Sequence, residues 1–200
     1  MRAMMARSSL LAVIVGLFIS SSAFAGILAN DVVDQGALQS GSTPFTNGGT
    51  LSGYVDWAVY NPGGFPYAGC TPTAGELSYA YQIFVTGSAP VSSFELILTD
   101  TADNAGSFPL AGGVAPNSTT LNNFTSVKWT FPGIPNGGNS NGLAFSSPRL
   151  PQSMAATIVD TGQTAIAVPL PTPSNIGIPE PATLSLAAMG CLMLGLRKRR

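Results

Sequence analysis

Apolar and polar side chains alternate at strand period through the middle of the chain. In Tyr79-Ala-Tyr-Gln-Ile-Phe-Val85 the residues Tyr79, Tyr81, Ile83 and Val85 share one face, and in Phe94-Glu-Leu-Ile-Leu98 the residues Phe94, Leu96 and Leu98 do the same. Val127-Lys-Trp-Thr-Phe131 repeats the pattern, and further strands are predicted over 51–59, 143–146, 155–159 and 164–168. Turn signals separate them at Asn61-Pro-Gly-Gly64, Thr86-Gly-Ser-Ala-Pro90, Ala111-Gly-Gly113, Pro132-Gly133 and Asn136-Gly-Gly-Asn139. Few stretches read as helix, and no repeat of fixed period points to a solenoid. The pattern predicts an all-β domain over residues 26–168, an antiparallel β-sandwich in preference to a barrel.

The pattern changes at both ends. Arg2 and Arg7 precede the apolar run 10–19, and Ser20-Ser-Ser22 then leads to Ala23-Phe-Ala25. Cations that stay inside, a short apolar segment for the translocon and small residues for the peptidase pockets predict a signal peptide over 1–25, cut by signal peptidase after Ala25 with Ala23 and Ala25 as the recognised positions. About ten apolar residues are too few to span a bilayer. Residues 169–178, Pro-Leu-Pro-Thr-Pro-Ser-Asn-Ile-Gly-Ile, are Pro-rich and uncharged, and read as a semi-rigid extended spacer.

Beyond the spacer stand Pro179-Glu180-Pro181, an apolar stretch over 182–196, and Arg197-Lys198-Arg199-Arg200. As a transmembrane helix the stretch would be about 22 Å long against a hydrocarbon core of about 30 Å, with snorkelling and local thinning covering the difference. The four terminal cations resist translocation and set the orientation, tail inside and domain outside. Cys191 falls within the apolar run and reads as one of its small residues. This order resembles the PEP-CTERM sorting signal of Gram-negative bacteria, a region also catalogued as the ice-binding protein C-terminal domain. The resemblance covers residues 179–200 and implies an exosortase-type membrane peptidase as partner, with Pro179, Glu180 and Pro181 as substrate residues. It further implies passage from the inner membrane to the cell surface or an exopolysaccharide matrix. The flanking prolines suit that role, because they hold the segment extended and outside a helix.

Charge sharpens this picture. The net charge of −1 conceals that six of the eight Lys and Arg residues lie at the termini; between 26 and 178, eight acids against Lys128 and Arg149 leave −6. Such a body repels phosphate backbones, so nucleic acid is excluded as a partner class. The abundance of Gly (23) and Pro (16) and the 8% of charged residues suit short strands joined by tight turns.

The sequence contains no histidine, which removes the usual general base, the Ser-His and Cys-His nucleophile systems and the commonest zinc ligand. No Gly-rich phosphate loop follows a predicted strand. The chain is therefore expected to be non-catalytic and to need no cofactor. Other functional readings rest on fewer residues. Asp56, Glu76 or Glu95 could furnish carboxylates for glycan hydrolysis, although Glu95 alternates with core residues and reads as outward-facing. Asp100, Asp103 and Asn104 offer oxygen ligands for calcium without EF-hand spacing. Tyr60 and Tyr67, in the loop Tyr60-Asn-Pro-Gly-Gly-Phe-Pro-Tyr67, are candidate carbohydrate contacts; Trp129 reads as core and Trp57 is ambiguous between the two. Ice binding would need a flat Thr array that no repeat supplies. Cys70 stands alone in the body as an unpaired thiol. Asn117-Ser-Thr and Asn123-Phe-Thr match a eukaryotic glycosylation pattern that a bacterial chain does not use.

Overall fold

The computed structural model describes residues 36–122, 125–160 and 162–178, and among them there is no helix. Twelve strands follow one another: β1 (Ala37–Thr46), β2 (Ser52–Tyr60), β3 (Leu77–Val85), β4 (Val91–Ile97), β5 (Asp103–Phe108), β6 (Gly113–Val114), β7 (Ser118–Asn122), β8 (Ser126–Ile134), β9 (Asn139–Ser140), β10 (Gly142–Ser147), β11 (Arg149–Asp160) and β12 (Gln163–Gly177). Their order in the sheet is β5-β10-β3-β2-β1-β12-β11-β4-β8-β7, with β6 and β9 attached beside β3. Every pairing on that path is antiparallel.

The all-β, antiparallel expectation is met, but the expected separation into two sheets is not. One sheet curls over until its ends approach, nearly closing a barrel: the Trp129 indole N–H on β8 donates to the Gly106 carbonyl on β5, at 2.9 Å. In strand pairing the two halves meet where β1 joins β12, at Phe45↔Ala167 and Thr46↔Ile166. The halves face each other across a core of stacked rings. Phe145 on β10 stacks on Tyr79 of β3 at 5.1 Å, Tyr81 of β3 meets Phe94 of β4 at 5.9 Å, and Phe94 stacks on Trp129 at 5.8 Å. These are the inward positions that the period-2 pattern marks, and all five rings are buried.

β3 is buried along almost its whole length, because both of its faces are covered. On the outer face Ala58, Ala80 and Ala144 lie in register across β2, β3 and β10. Their small side chains make a floor on which Phe65 and Tyr67 of the 61–76 loop pack with Tyr60 and Phe108. β8 passes through Pro132-Gly133, the dipeptide expected to make a turn: Gly133 takes φ +121°, and the pairing shifts register between Val91 and Ser93, so the signal marks a bulge within a strand.

The expected spacer is also a strand. Residues 169–177 are extended, as their prolines require, but they form the second half of β12 and pair with β11 from Met154 to Arg149. Leu170 to Ser174 are buried. Prolines at 169, 171 and 173, two apart, leave their missing N–H groups on one strand edge, which must be the edge turned from β11. Their carbonyls accept from side chains elsewhere: Thr43 Oγ1 donates to the Pro169 oxygen at 2.6 Å, the Tyr81 hydroxyl to Pro171, and Thr99 Oγ1 to Pro173 at 2.7 Å. The Tyr79 hydroxyl likewise donates to the Arg149 carbonyl at 2.7 Å. This segment is paired and capped as far as Ile178, the last described residue, whose N–H donates to the Pro148 carbonyl at 3.1 Å.

Two outcomes follow from the buried tyrosines. Tyr81→Phe leaves the Pro171 carbonyl buried without its donor and is expected to lower stability by about 1–3 kcal/mol in urea unfolding, whereas Tyr54→Phe, at a half-buried ring, shifts it by no more than about 0.5 kcal/mol. Burial pushes the hydroxyls of Tyr79 and Tyr81 above the ordinary tyrosine range. The fold therefore favours their neutral forms, while the unfolded chain ionises them near pH 10. Stability is expected to be unaffected by these groups below about pH 10 and to fall as pH rises above it, with tyrosinate absorbance from both appearing only as the chain unfolds. Ionisation of every tyrosine before loss of circular dichroism would contradict this.

Candidate functional site

The sorting and processing positions expected from the sequence, Ala23, Ala25, Pro179, Glu180, Pro181 and Arg197, Lys198, Arg199 and Arg200, lie outside the described residues, as does the apolar stretch 182–196. What the structure adds is their point of attachment: Ile178, half-buried against the core, is the residue immediately before Pro179. No helix among the described residues is long and apolar enough to cross a membrane.

The three calcium candidates lie between the end of β4 and the start of β5. Asp100 follows β4, with its Oδ1 accepting the Thr101 N–H at 2.7 Å and standing 3.2 Å from Arg149 Nε. The Thr101 N–H, with further help from the Thr101 hydroxyl and the guanidinium, holds the Asp100 carboxyl below the usual carboxylate range. Its charge is already answered by a cation. Asp103 and Asn104 are exposed at the start of β5, and the Asn104 amide donates to Thr73 Oγ1 at 2.9 Å. Among the described residues no group of three or more His, Cys, Asp or Glu is placed to hold a metal ion.

The carboxylates suggested for glycan hydrolysis are dispersed. Glu95 on β4 faces outward and pairs across the ladder with Lys128 on β8, at 3.6 Å. Asp56 is buried on the outer side of the other half of the sheet, in register with Gln82. Glu76 sits in the turn before β3, where its N–H donates to the Thr73 carbonyl. Glu95 and Asp56 thus look away from each other on opposite sides of the domain and cannot flank one glycosidic bond. The Cys70 thiol, half-buried, is pushed up by burial and lies 3.7 Å from the Asn104 carbonyl, which keeps it protonated and weakly reactive.

The aromatic loop packs its rings on the sheet, and the carbohydrate candidates Tyr60 and Tyr67 are part of that packing. Tyr60 is completely buried at the end of β2, meeting Phe65 at 5.6 Å and Tyr67 at 6.3 Å. One face of Tyr67 is taken by Phe108, stacked at 4.8 Å with the planes 15° apart. The loop spends its rings on the alanine floor, because Ala58, Ala80 and Ala144 leave apolar surface that would otherwise face water.

Trp57 is the aromatic that the fold leaves half-exposed at a concave surface. Just beyond the β1–β12 seam the two strands part, and the gap, a shallow recess of about 80 Å³ open to solvent, is lined by Gln39, Trp57, Pro151, Gln152, Ser153 and the segment from Pro169 to Pro171. The indole lies over Gly41, where a Cβ would stand 2.6 Å from Cζ2, so only glycine on β1 admits it. Its Nε1 donates to Thr43 Oγ1 at 3.1 Å, and that hydroxyl in turn donates to Pro169. The ring is thereby locked from two sides. Sequence patterning gives no access to this cleft, since residues 39, 57, 151–153 and 169–171 become neighbours only through strand order. The available signal is a tryptophan opposite a strand glycine.

Tyr67→Ala, which opens the loop cluster and replaces no residue that lines the Trp57 cleft, is expected to lower stability by about 2 kcal/mol or more in urea unfolding. Glu95→Gln breaks only an exposed pair and is expected to change stability by less than about 1 kcal/mol. Comparison with family models, with curated proteins and with solved structures finds no match to the chain.

Proposed function

We propose that the chain is an exported surface or extracellular-matrix protein of a Gram-negative bacterium, with an N-terminal signal peptide, a non-catalytic all-β ectodomain and a short C-terminal transmembrane helix. An exosortase-type peptidase sorts it through residues 179–200. The observation that carries this reading is the order Pro-Glu-Pro, apolar stretch and terminal basic cluster in the last 22 residues. The missing histidine and the dispersed carboxylates support a structural ectodomain. So does a fold whose polar side chains are largely engaged in holding backbone carbonyls.

In this reading the protein leaves the translocon with its basic tail inside and its domain outside, held at the inner membrane until the peptidase acts. Glu180 and its flanking prolines are recognised as an extended segment adjoining the end of the sheet. The protein then passes to the cell surface or the exopolysaccharide matrix.

Mass spectrometry of the mature protein from its own cell tests the proposal. The expected result is an N-terminus at Gly26 and a C-terminus near Pro179–Pro181, with the tail gone. A peptide running from Pro179 through Arg200 in most molecules would overturn it.

A further inference from the structure

We propose that the parting of β1 and β12 is a binding site for a neutral polysaccharide chain, with the Trp57 indole as stacking surface and the amides of Gln39 and Gln152 as partners for ring hydroxyls. The inference deepens the matrix role above and rests on it only for the chain's exposure to polysaccharide.

Four features carry it. The cleft is lined without a single charged side chain, in a body with an excess of acids, which disfavours ions and acidic polymers and suits an uncharged ligand. It pairs a half-exposed indole with primary amides, the combination that meets both the C–H face and the hydroxyl edge of a sugar. It is preformed: Trp57 is held by Gly41 and Thr43, Gln152 Nε2 donates to the Pro173 carbonyl at 3.2 Å and leaves its oxygen to accept, and Pro151, Pro169 and Pro171 stiffen the walls. Little side-chain freedom is lost on binding. Finally, the prolines of β12 offer no N–H groups to an added strand, so the gap is a poor template for a peptide there.

The test uses the full chain in a zwitterionic detergent, since a glycoside detergent would compete. Affinity electrophoresis through gels containing hydroxyethylcellulose, dextran or alginate, followed by tryptophan fluorescence titration, reads the binding. Trp129 is buried and serves as the unresponsive reference. Saturable retention is expected on at least one neutral polymer and not on alginate. Trp57→Ala is expected to weaken it at least about tenfold and Gln39→Ala, at an exposed position that folding does not need, about three- to tenfold; Tyr67→Ala leaves it unchanged. Retention on no neutral polymer, equal retention on alginate, or wild-type binding by Gln39→Ala and by a folded Trp57→Ala would overturn the site. Concentration-dependent self-association lost in Gln39→Ala would assign the gap to a second copy and overturn it as well. The two proposals fail separately: a processed chain that binds no glycan sinks only this one, and a glycan-binding chain that keeps its tail sinks only the sorting route.

Discussion

The domain depends on how β12 is allowed to leave β1. A sheet that must cover both sides of one core has to turn, and it turns where two residue pairs give way to Pro169. From there the alternate prolines forbid further pairing with β1, so the strand crosses to the opposing half while keeping β11 beside it. Their carbonyls still need donors, which β1, β3 and the turn after β4 supply through Thr43, Tyr81 and Thr99. A carbonyl left unmet in the interior, as that of Pro171 would be without Tyr81, costs about 1–3 kcal/mol, a sizeable part of the 5–15 kcal/mol that typically holds a domain together. The hydroxyl on Tyr81 is thus a condition of the turn, and its ring also carries the aromatic contact from one half of the sheet to the other.

The two outer faces of the curled sheet are handled differently. Over β2, β3 and β10 the alanine row is roofed by the 61–76 loop, whose half-buried Phe65 and Tyr67 pack on the buried Phe108 and Tyr60. Over β4, β11 and β12 no such roof exists among the described residues, and Ile97, Ile166 and Val168 are exposed around the Glu95–Lys128 pair. A chain with only 8% charged residues has little else to place there. Isolated exposed aliphatics are ordinary on folded proteins. The asymmetry also explains why β3 reads as nearly continuous apolar sequence and β4 as clean alternation.

Strands with one wet face were legible for that reason. Phe94–Leu98 and Val127–Phe131 alternate in sequence because their outer residues, Glu95 and Lys128, meet water and each other. β1, with Gly41 and Pro44 among polar residues, shows no such pattern, because it is held by its backbone ladder with β2 on one side and by its own Thr43 hydroxyl, donating to the Pro169 carbonyl, on the other. β5 and β7 are short and polar for the same reason: they are the ends of the sheet. Proline spacing was legible as extended chain but not as core, since whether a proline carbonyl finds a donor depends on Tyr81, ninety residues away. Tyr60 and Tyr67 could be read as packed rings more readily than as a platform, but their packing partners were not legible in a loop rich in Pro and Gly, which ordinarily faces water. Only the alanines across from it, brought into register by β2, β3 and β10, reveal that it is a roof.

Loss of the spacer constrains the proposed sorting route. A peptidase acting near Pro179–Pro181 meets a folded sheet one residue upstream, and the domain must either stay clear or yield. The order of burial along the end of β12 says which. Pro171, Thr172, Pro173 and Ser174 are buried and tied to Tyr81, Thr99 and Gln152, whereas Asn175 and Ile176 are exposed and Gly177 and Ile178 only half-buried. Freeing residues 175–178 gives up the Ile178 bond to Pro148 and the Arg149↔Gly177 pairing, leaves the capped prolines in place, and releases about 13 Å of extended chain at about 3.3 Å per residue. Fraying beyond that point would expose the Pro173 and Pro171 carbonyls in turn and undo the turn on which the fold rests. The last capped proline therefore sets the natural limit of what a membrane peptidase can draw from the domain without unfolding it.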